Sequence, residues 1–301
     1  MPAKPGDTSS LAEMVPWFRV APGQPSISGL MHIPVAPAAR LPRIQLADTD
    51  YELVNVPVDH EQHEDVTEYF SLTARSNTRF GRRAPDENDI TAPMLLKRLR
   101  YPFVLAEVTV SVDFQVDWDQ GGLAIFAGGH PTHHQLNQLA SRSLRRPYVV
   151  VDPSLRPGPS KWARVAFEVN AGEPNITTLV ANPKCAVDWA CTPAFSYLDP
   201  AYLEETSMPS IRLKLERVGS DLWVWFMVPS TVVMSTAAPT PAFISRQWRK
   251  CREIVNFFDP ESSKGGCWVG CYASRPVDTE GLDTNLHNGG LFVEFEDLEI
   301  L

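Results

Sequence analysis

The clearest strand in the sequence reads Trp162-Ala163-Arg164-Val165-Ala166-Phe167-Glu168-Val169. Every second residue is apolar, and in an extended chain these residues share one face: Ala163, Val165, Phe167 and Val169. The opposite face carries an aromatic ring, a cation, a small residue and a carboxylate: Trp162, Arg164, Ala166 and Glu168. This alternation predicts a β-strand that packs one face into a core and presents the other to a ligand or to solvent.

The rest of the chain beyond residue 50 also reads as strands. Period-two alternation or short β-branched and aromatic runs occur at 51–56, 106–116, 123–126, 148–151, 177–180, 211–217, 222–228, 267–272 and 291–300. Gly, Pro, Asn and Asp separate most of them, as turns require. Two segments, 93–100 and 246–256, favour short helices. Many strands with turn signals between them predict an all-β sandwich of two sheets.

Charge and composition exclude several classes of function. The chain has 27 Lys and Arg against 36 Asp and Glu, a net charge of −9, and no long basic run. Such a chain has no bulk attraction for nucleic acid or for an anionic membrane surface. No apolar stretch approaches the ~18–20 residues that span a bilayer, so we expect no membrane insertion.

The first 45 residues differ in composition from the remainder. They contain eight prolines, at positions 2, 5, 16, 22, 25, 34, 37 and 42, which remove amide donors and fix φ. Trp17-Phe18 and Leu30-Met31 are apolar enough to dock on a folded surface. We therefore predict a proline-rich arm over 1–45 and a single domain over 46–301.

Cysteine usage and the amino terminus bear on the cellular compartment. The five cysteines, at 185, 191, 251, 267 and 271, are odd in number and irregularly spaced. Cys267 and Cys271 lie four apart in a predicted strand, roughly 13 Å, which is too far for a disulfide. The amino terminus lacks the basic-then-apolar order of a secretory signal. These features predict a cytoplasmic protein.

Several of these strands resemble the motifs of a known family. Asp119-Gln120-Gly121-Gly122-Leu123 is similar to the DQAGL strand of the small concanavalin A-like proteins grouped as domain of unknown function 1349. Further matches follow in the same order, at 162–168, 187–190, 211–217, 248–249, 266–276 and 291–298. The resemblance covers about residues 70–301. Its departures are the arm, two long loops at 183–210 and 229–262, and single substitutions such as Arg164 and Arg275.

The resemblance implies a concanavalin A-like jelly roll. Such a fold has two antiparallel sheets, one convex and packed, the other concave and open. Relatives of this fold include sugar-binding lectins and glucanases. On that scaffold, Arg164 and Glu168 would lie on the concave sheet as candidate catalytic residues, with Trp162 as a stacking plate. The alternative is a solvated Arg–Glu pair on an outer face, contributing ~0–1 kcal/mol.

Four other residues are candidate ligand contacts. Gln120 offers a donor and an acceptor, although Asp119-Gln120 could instead cap a turn before Gly121-Gly122. Asp188-Trp189 falls in the first long loop, where the indole would stack on a ligand or pin the loop to the sheet. Trp225 shares a strand face with Trp223; both faces of that strand are apolar, which favours core, with one indole able to reach the groove.

The sequence offers no convincing metal or cofactor site. His130, His133 and His134 form the densest cluster of metal-ligand types, but they lie in a Gly/Pro-rich segment without an evident fourth ligand. Asp283, Asn285 and Asn288 are a faint calcium candidate. Phosphate-binding glycine loops, the G-x-S-x-G elbow and C-x-x-C pairs are absent from the sequence. We therefore predict neither a metal nor a cofactor.

Two functions remain in competition. The first is an intracellular protein that holds a carbohydrate or other polyhydroxylated small molecule on its concave sheet. The second is a cofactor-independent isomerase, cyclase or lyase that acts on a hydrophobic metabolite in the same groove. A third possibility is an interaction scaffold. An open groove with exposed tryptophan favours the first, and a deep closed pocket favours the second.

Overall fold

The structure, a computed structural model, describes residues 43–45, 50–56, 67–84, 87–131, 161–183, 187–194, 208–227, 248–260, 266–279 and 290–301. These residues belong to the compact unit Arg40–Leu301. Several predictions lie outside them: residues 1–42 of the arm predicted over 1–45, the strand at 148–151, most of the two long loops, and His133, His134, Asp283, Asn285 and Asn288.

Sixteen strands lie within the described residues. They are β1 (Arg43–Gln45), β2 (Tyr51–Val54), β3 (Tyr69–Ala74), β4 (Phe80–Ala84), β5 (Glu87–Ile90), β6 (Met94–Leu99), β7 (Leu105–Val112), β8 (Gln120–Ala127), β9 (Lys161–Asn170), β10 (Glu173–Ala181), β11 (Asp188–Pro193), β12 (Ser210–Val218), β13 (Asp221–Met227), β14 (Arg249–Ile254), β15 (Cys267–Ser274) and β16 (Leu291–Ile300). Every predicted strand whose residues the structure describes has a counterpart, but β2 ends at Val54 and β7 at Val112, short of the predicted ends at 56 and 116.

The strands form two large antiparallel sheets and one hairpin. The eight-stranded sheet has the order β1-β2-β6-β15-β8-β9-β10-β11, and the six-stranded sheet has the order β14-β13-β12-β7-β16-β3. Strands β4 and β5 pair only with each other. The predicted all-β jelly-roll sandwich is confirmed. Among the described residues, no helix has the length and apolarity needed to cross a membrane.

The main core lies between the two large sheets. It takes one face of most strands of the two large sheets, as in β9, which contributes Ala163, Val165 and Phe167. The sheets approach closely at Gly121, where an added Cβ would lie 2.5 Å from Cγ1 of Val293. Glycine is therefore favoured at this position by the lack of space between the sheets rather than by backbone conformation.

A second apolar cluster covers the outer face of the eight-stranded sheet. We call this outer face the site face. The β4–β5 hairpin lies on this face, and the Phe80 ring packs 5.6 Å from that of Phe126 and 5.1 Å from that of Trp162. Both faces of β9 are buried. The open concave sheet implied by the family resemblance is not what the structure shows at β9, because side chains there are enclosed.

Both predicted helices are wrong. Residues 94–99 form β6, which lies between β2 and β15 and buries Met94, Leu95 and Leu96 completely. A strand that is buried on both faces loses its period-two signal, and tertiary pairing overrides helix propensity. Residues 249–254 form β14, an edge strand whose pairing with β13 contains a bulge. Its dense charge is typical of an exposed sheet edge.

Asp188 and Trp189 were predicted to lie in a loop, and this placement is also wrong. Both belong to β11, the edge strand that pairs with β10 in the eight-stranded sheet. Asp188 forms an ion pair with Arg252 of β14, and Arg252 also donates to Oγ1 of Thr178 at 3.1 Å. These contacts join the edges of the two large sheets.

Candidate functional site

Strand register gathers five polar side chains on the site face. Across β8 and β9, Gln120 lies opposite Glu168 and Gly122 lies opposite Ala166. The neighbouring strands add Tyr272 opposite Gly122 and Thr177 opposite Ala166. Gly122 and Ala166, at the centre of this row, add little side-chain volume between Tyr272 and Thr177. We call the surrounding residues the polar cluster: Gln120, Arg164, Glu168, Thr177 and Tyr272.

Hydrogen bonds connect the polar cluster into one chain. The Tyr272 hydroxyl donates to Oε1 of Gln120 at 2.9 Å and accepts from Nη1 of Arg164 at 2.9 Å. The same Nη1 lies 3.5 Å from Oγ1 of Thr177, and this hydroxyl donates to Oε2 of Glu168 at 3.0 Å. The five side chains therefore hold one another in fixed orientations.

Arg164 and Glu168 are paired but not solvated. Nη1 of Arg164 lies 3.6 Å from Oε2 of Glu168, over the small side chain of Ala166. Arg164 is 6% exposed and Glu168 is 1% exposed. The alternative of a solvated surface pair therefore does not describe these residues.

Burial controls the electrostatics of the cluster. Burial raises the pKa of Glu168 above its ordinary value, and the nearby Arg164 cation and the Thr177 hydrogen bond only partly oppose this. Burial also raises the pKa of the Tyr272 phenol. Both shifts favour the neutral forms, because a charge is poorly solvated in the protein interior.

Two polar atoms of the cluster are buried and have no hydrogen-bond partner. They are Oε1 of Glu168, an acceptor when ionised, and Nε of Arg164, a donor. Buried polar groups in folded proteins are nearly always hydrogen-bonded. An unpaired acceptor and an unpaired donor on neighbouring side chains therefore mark a place where a polar ligand could bind.

Comparison with known proteins places the chain in a family. The model of Protein of unknown function (DUF1349) matches residues 55–301. The chain belongs to the DUF1349 family. This confirms the resemblance found in the sequence motifs. No curated protein matches the chain.

The solved structures that match this DUF1349 protein have low sequence identity to it. A functionally unknown protein from Saccharomyces cerevisiae is 15% identical, with 84% of this chain and 96% of that chain covered and a TM-score of 0.49. Bacteroides ovatus Xyloglucan PUL GH43B is 11% identical, with 84% and 37% covered and a TM-score of 0.45. LamAcat from Zobellia galactanivorans is 9% identical, with 77% and 76% covered and a TM-score of 0.38.

In this DUF1349 chain, Asp119 and Gln120 have separate roles. Asp119 accepts the backbone N–H groups of Gln115 and Val116 through Oδ2, at 2.9 and 3.1 Å, and so closes the turn before β8. Arg275 donates to the same carboxylate from Nε and Nη2, at 2.7 Å each. Gln120 points to the site face instead. The turn-capping alternative therefore describes Asp119, and Gln120 belongs to the polar cluster.

The predicted tryptophans lie in different surroundings. Trp162 is completely buried, and its Nε1 donates to Oδ1 of Asn88 in the β4–β5 hairpin at 2.8 Å. Its indole is therefore fixed and enclosed within the site face, and it does not offer an exposed surface on which a ligand could stack. Trp189 is half-buried and packs against the same apolar cluster. It lies opposite Leu179, which lies opposite Arg164, so its strand position also belongs to the site face.

Asp188 and Trp225 are not near the polar cluster. Asp188 lies opposite Val180, a residue of the main core, so it occupies the other face of β11 from Trp189. Trp225 and Trp223 alternate with the core residues Leu222, Val224 and Phe226, and are therefore on the outer face of the six-stranded sheet. The expectation that these indoles lie in the core is wrong, because that face of β13 is half-buried and carries lysines over its rings.

Sequence reasoning missed Tyr272 and Thr177. Each lies in a predicted strand, but its place beside Arg164 depends on which strands are neighbours and in what register.

Of the histidine cluster, His130 is described: its Nε2 lies 3.7 Å from Oε1 of Glu52, and its ring packs 4.5 Å from that of Trp268. The described residues contain no group of three or more His, Cys, Asp or Glu that could hold a metal.

Proposed function

We propose that the polar cluster binds a small polyhydroxylated molecule, about the size of a monosaccharide. The observation that carries the proposal is the pair of buried, unpartnered atoms, Oε1 of Glu168 and Nε of Arg164. A buried polar group without a partner costs about 1–3 kcal/mol. A sugar hydroxyl both donates and accepts, so neighbouring hydroxyls would satisfy the two atoms together.

The apolar surroundings of the cluster support the same class of ligand. The Tyr272 ring lies 4.7 Å from the Phe80 ring, and Trp162 is held beside Phe80 by its bond to Asn88. Aromatic rings provide apolar surface, while the polar cluster provides donors and acceptors. A sugar has both an apolar C–H face and polar edges, and it would use both kinds of surface.

A second candidate is a cofactor-independent isomerase, cyclase or lyase that uses the same residues. The observation that favours it is the enclosure of Glu168, whose raised pKa brings proton exchange closer to neutral pH. A carboxylic acid enclosed beside Arg164 could transfer a proton to or from a bound ligand. This candidate requires the same binding site and no metal or cofactor.

Binding is tested by isothermal titration calorimetry and thermal shift with a panel of hexoses, pentoses, cyclitols and sugar acids. We expect at least one to bind wild-type protein and to lose about tenfold or more in affinity in Glu168→Gln. Glu107→Gln is the matched control, because Glu107 also pairs with an arginine, Arg212, at 2.6 Å, but on the outer face of the other sheet. Equal affinity in both variants, or no binding by any ligand, would refute the proposal.

Catalysis is tested separately, by ¹H NMR of any ligand that binds. Isomerisation or elimination should appear as new resonances with wild-type protein and with Glu107→Gln, but not with Glu168→Gln. A ligand that binds tightly and stays unchanged over a day would leave binding as the function and exclude turnover of that ligand.

A further inference from the structure

Arg275 shows how a buried arginine of this protein binds a carboxylate. Arg275 presents Nε and Nη2 side by side, and each donates to one oxygen of Asp119 at 2.7 Å. Arg275 is 1% exposed and Asp119 is completely buried. Two parallel N–H bonds to one planar acid are the strongest arrangement that a guanidinium offers.

Arg164 has the same edge without an acceptor. Its hydrogen bonds in the described structure all leave from Nη1, to Tyr272 and Thr177. Its 3.6 Å approach to Glu168 also uses Nη1. Nε is buried without a partner, and none of the hydrogen bonds or ion-pair contacts between Arg164 and the described residues uses Nη2. The Nε–Nη2 edge that Arg275 fills with Asp119 is therefore open in Arg164.

The charge of Arg164 is also incompletely balanced. Glu168 is the one described carboxylate within 4.0 Å of it, and the two are farther apart than in a hydrogen-bonded ion pair. Burial favours the neutral form of Glu168, which weakens this counter-charge further. A buried guanidinium that lacks a well-placed anion is strongly destabilising. An anion supplied by the ligand would remove that cost.

We propose that the ligand of the polar cluster is a sugar acid whose carboxylate binds side-on to Nε and Nη2 of Arg164. The inference rests on the proposed function and narrows it from polyhydroxylated molecules in general to those with one carboxylate. The hydroxyls of the same ligand would reach Oε1 of Glu168. A neutral sugar would satisfy Glu168 but leave the Arg164 edge and its charge unmatched.

The test uses ligands that differ only at the acid. Glucuronate, galacturonate and mannuronate are titrated into wild-type protein by calorimetry, beside their methyl esters and the parent hexoses. We expect one free acid to bind about tenfold or more tighter than its own ester and its hexose. Equal binding of acid, ester and hexose would overturn this inference and leave the proposed function standing. No binding by any of the nine would overturn this inference, and the proposed function would then depend on the pentoses and cyclitols of the first panel.

The assignment to Arg164 is tested with Arg164→Lys, which keeps the charge but loses the paired donors. We expect the ratio of acid to ester affinity to fall close to unity in this variant. Arg212→Lys, on the outer face of the other sheet, should keep the wild-type ratio. An acid preference that survives Arg164→Lys would place the carboxylate elsewhere.

Inorganic phosphate and acetate are tested as competitors of the bound sugar acid. If phosphate competes better than acetate, the site recognises a tetrahedral anion, and the inference is overturned.

Should Arg164→Lys fail to fold, the comparison of acid with ester on wild-type protein still decides whether a carboxylate is recognised. In that case, Arg164→Gln provides the second variant, because its side-chain amide is neutral and donates from one nitrogen only. The acid preference should be lost in Arg164→Gln, and its persistence there would place the carboxylate elsewhere.

Discussion

Arg275 and Asp119 form a buried ion pair with two hydrogen bonds of 2.7 Å, which fixes the end of β15 to the turn before β8. The backbone in that turn is unusual, because Trp118 has a φ of 74°. Asp119 stabilises the turn by accepting backbone N–H groups of Gln115 and Val116. The pair therefore positions the start of β8, where Gln120 enters the polar cluster.

Replacement of Arg275 by methionine should be strongly destabilising. Asp119 would remain buried without its cation, and removal of one partner of a buried pair costs about 3–5 kcal/mol. The free energy of unfolding in urea measures the effect. Arg100→Met is the control, because Arg100 and its partner Asp50 keep 74% and 47% of their side chains exposed. Similar losses in both variants would contradict a special role for the buried pair.

Tyr272→Phe should lower stability by about 1–3 kcal/mol, because it leaves Oε1 of Gln120 and Nη1 of Arg164 with one fewer partner in a buried setting. Tyr69→Phe is the same substitution at a solvent-accessible position, where the hydroxyl donates to Glu294. It should cost less, within ~1 kcal/mol. Urea unfolding of the two variants, side by side, gives the comparison.

Glu168 should make stability fall as pH rises. Its pKa in the folded protein is above the ordinary value of 4.5, so the folded state holds a proton that the unfolded state has already released. Its contribution is fully present below pH 4.5 and is lost as pH rises through the folded-state value. Relative to Glu168→Gln, wild-type protein should therefore lose free energy of unfolding as the pH increases from 4.5. The opposite trend would mean that Arg164 dominates the environment of Glu168.

Gly121→Ala should cost about 1–3 kcal/mol through overpacking between the sheets. The new Cβ would lie 2.5 Å from Cγ1 of Val293 and 3.2 Å from Cγ1 of Val110. Gly81→Ala is the matched control, because a Cβ at Gly81 meets nothing within 4 Å. The double variant Gly121→Ala, Val293→Ala should recover part of the loss. If it does not, the cost arises in the backbone of β8 instead of in the core.

The sequence predicted the two faces of β9 correctly because one face is uniformly apolar and the other is mixed. The same reasoning failed for β13, in which Trp223 and Trp225 are as apolar as the core residues between them. Alternation cannot separate two apolar faces. It also failed for β6, whose first three residues are buried regardless of face.

The composition of the polar cluster was only partly predictable. Arg164, Glu168 and Gln120 were visible because each is polar within an otherwise apolar strand. Tyr272 and Thr177 became partners of Arg164 through lateral register between strands that are far apart in sequence. The cover provided by the β4–β5 hairpin was also missed, because its buried polar residues Arg82 and Asn88 resemble a surface turn in the sequence.

The burial of the polar cluster has a kinetic consequence. Because Glu168 is 1% exposed, a solute can contact it only after the residues that cover it have moved. Association should then be gated by opening, with an on-rate below the ~10⁵–10⁷ M⁻¹s⁻¹ typical of accessible protein surfaces. The observed rate should level off at high ligand concentration, and residence times should be long even where equilibrium affinity is modest.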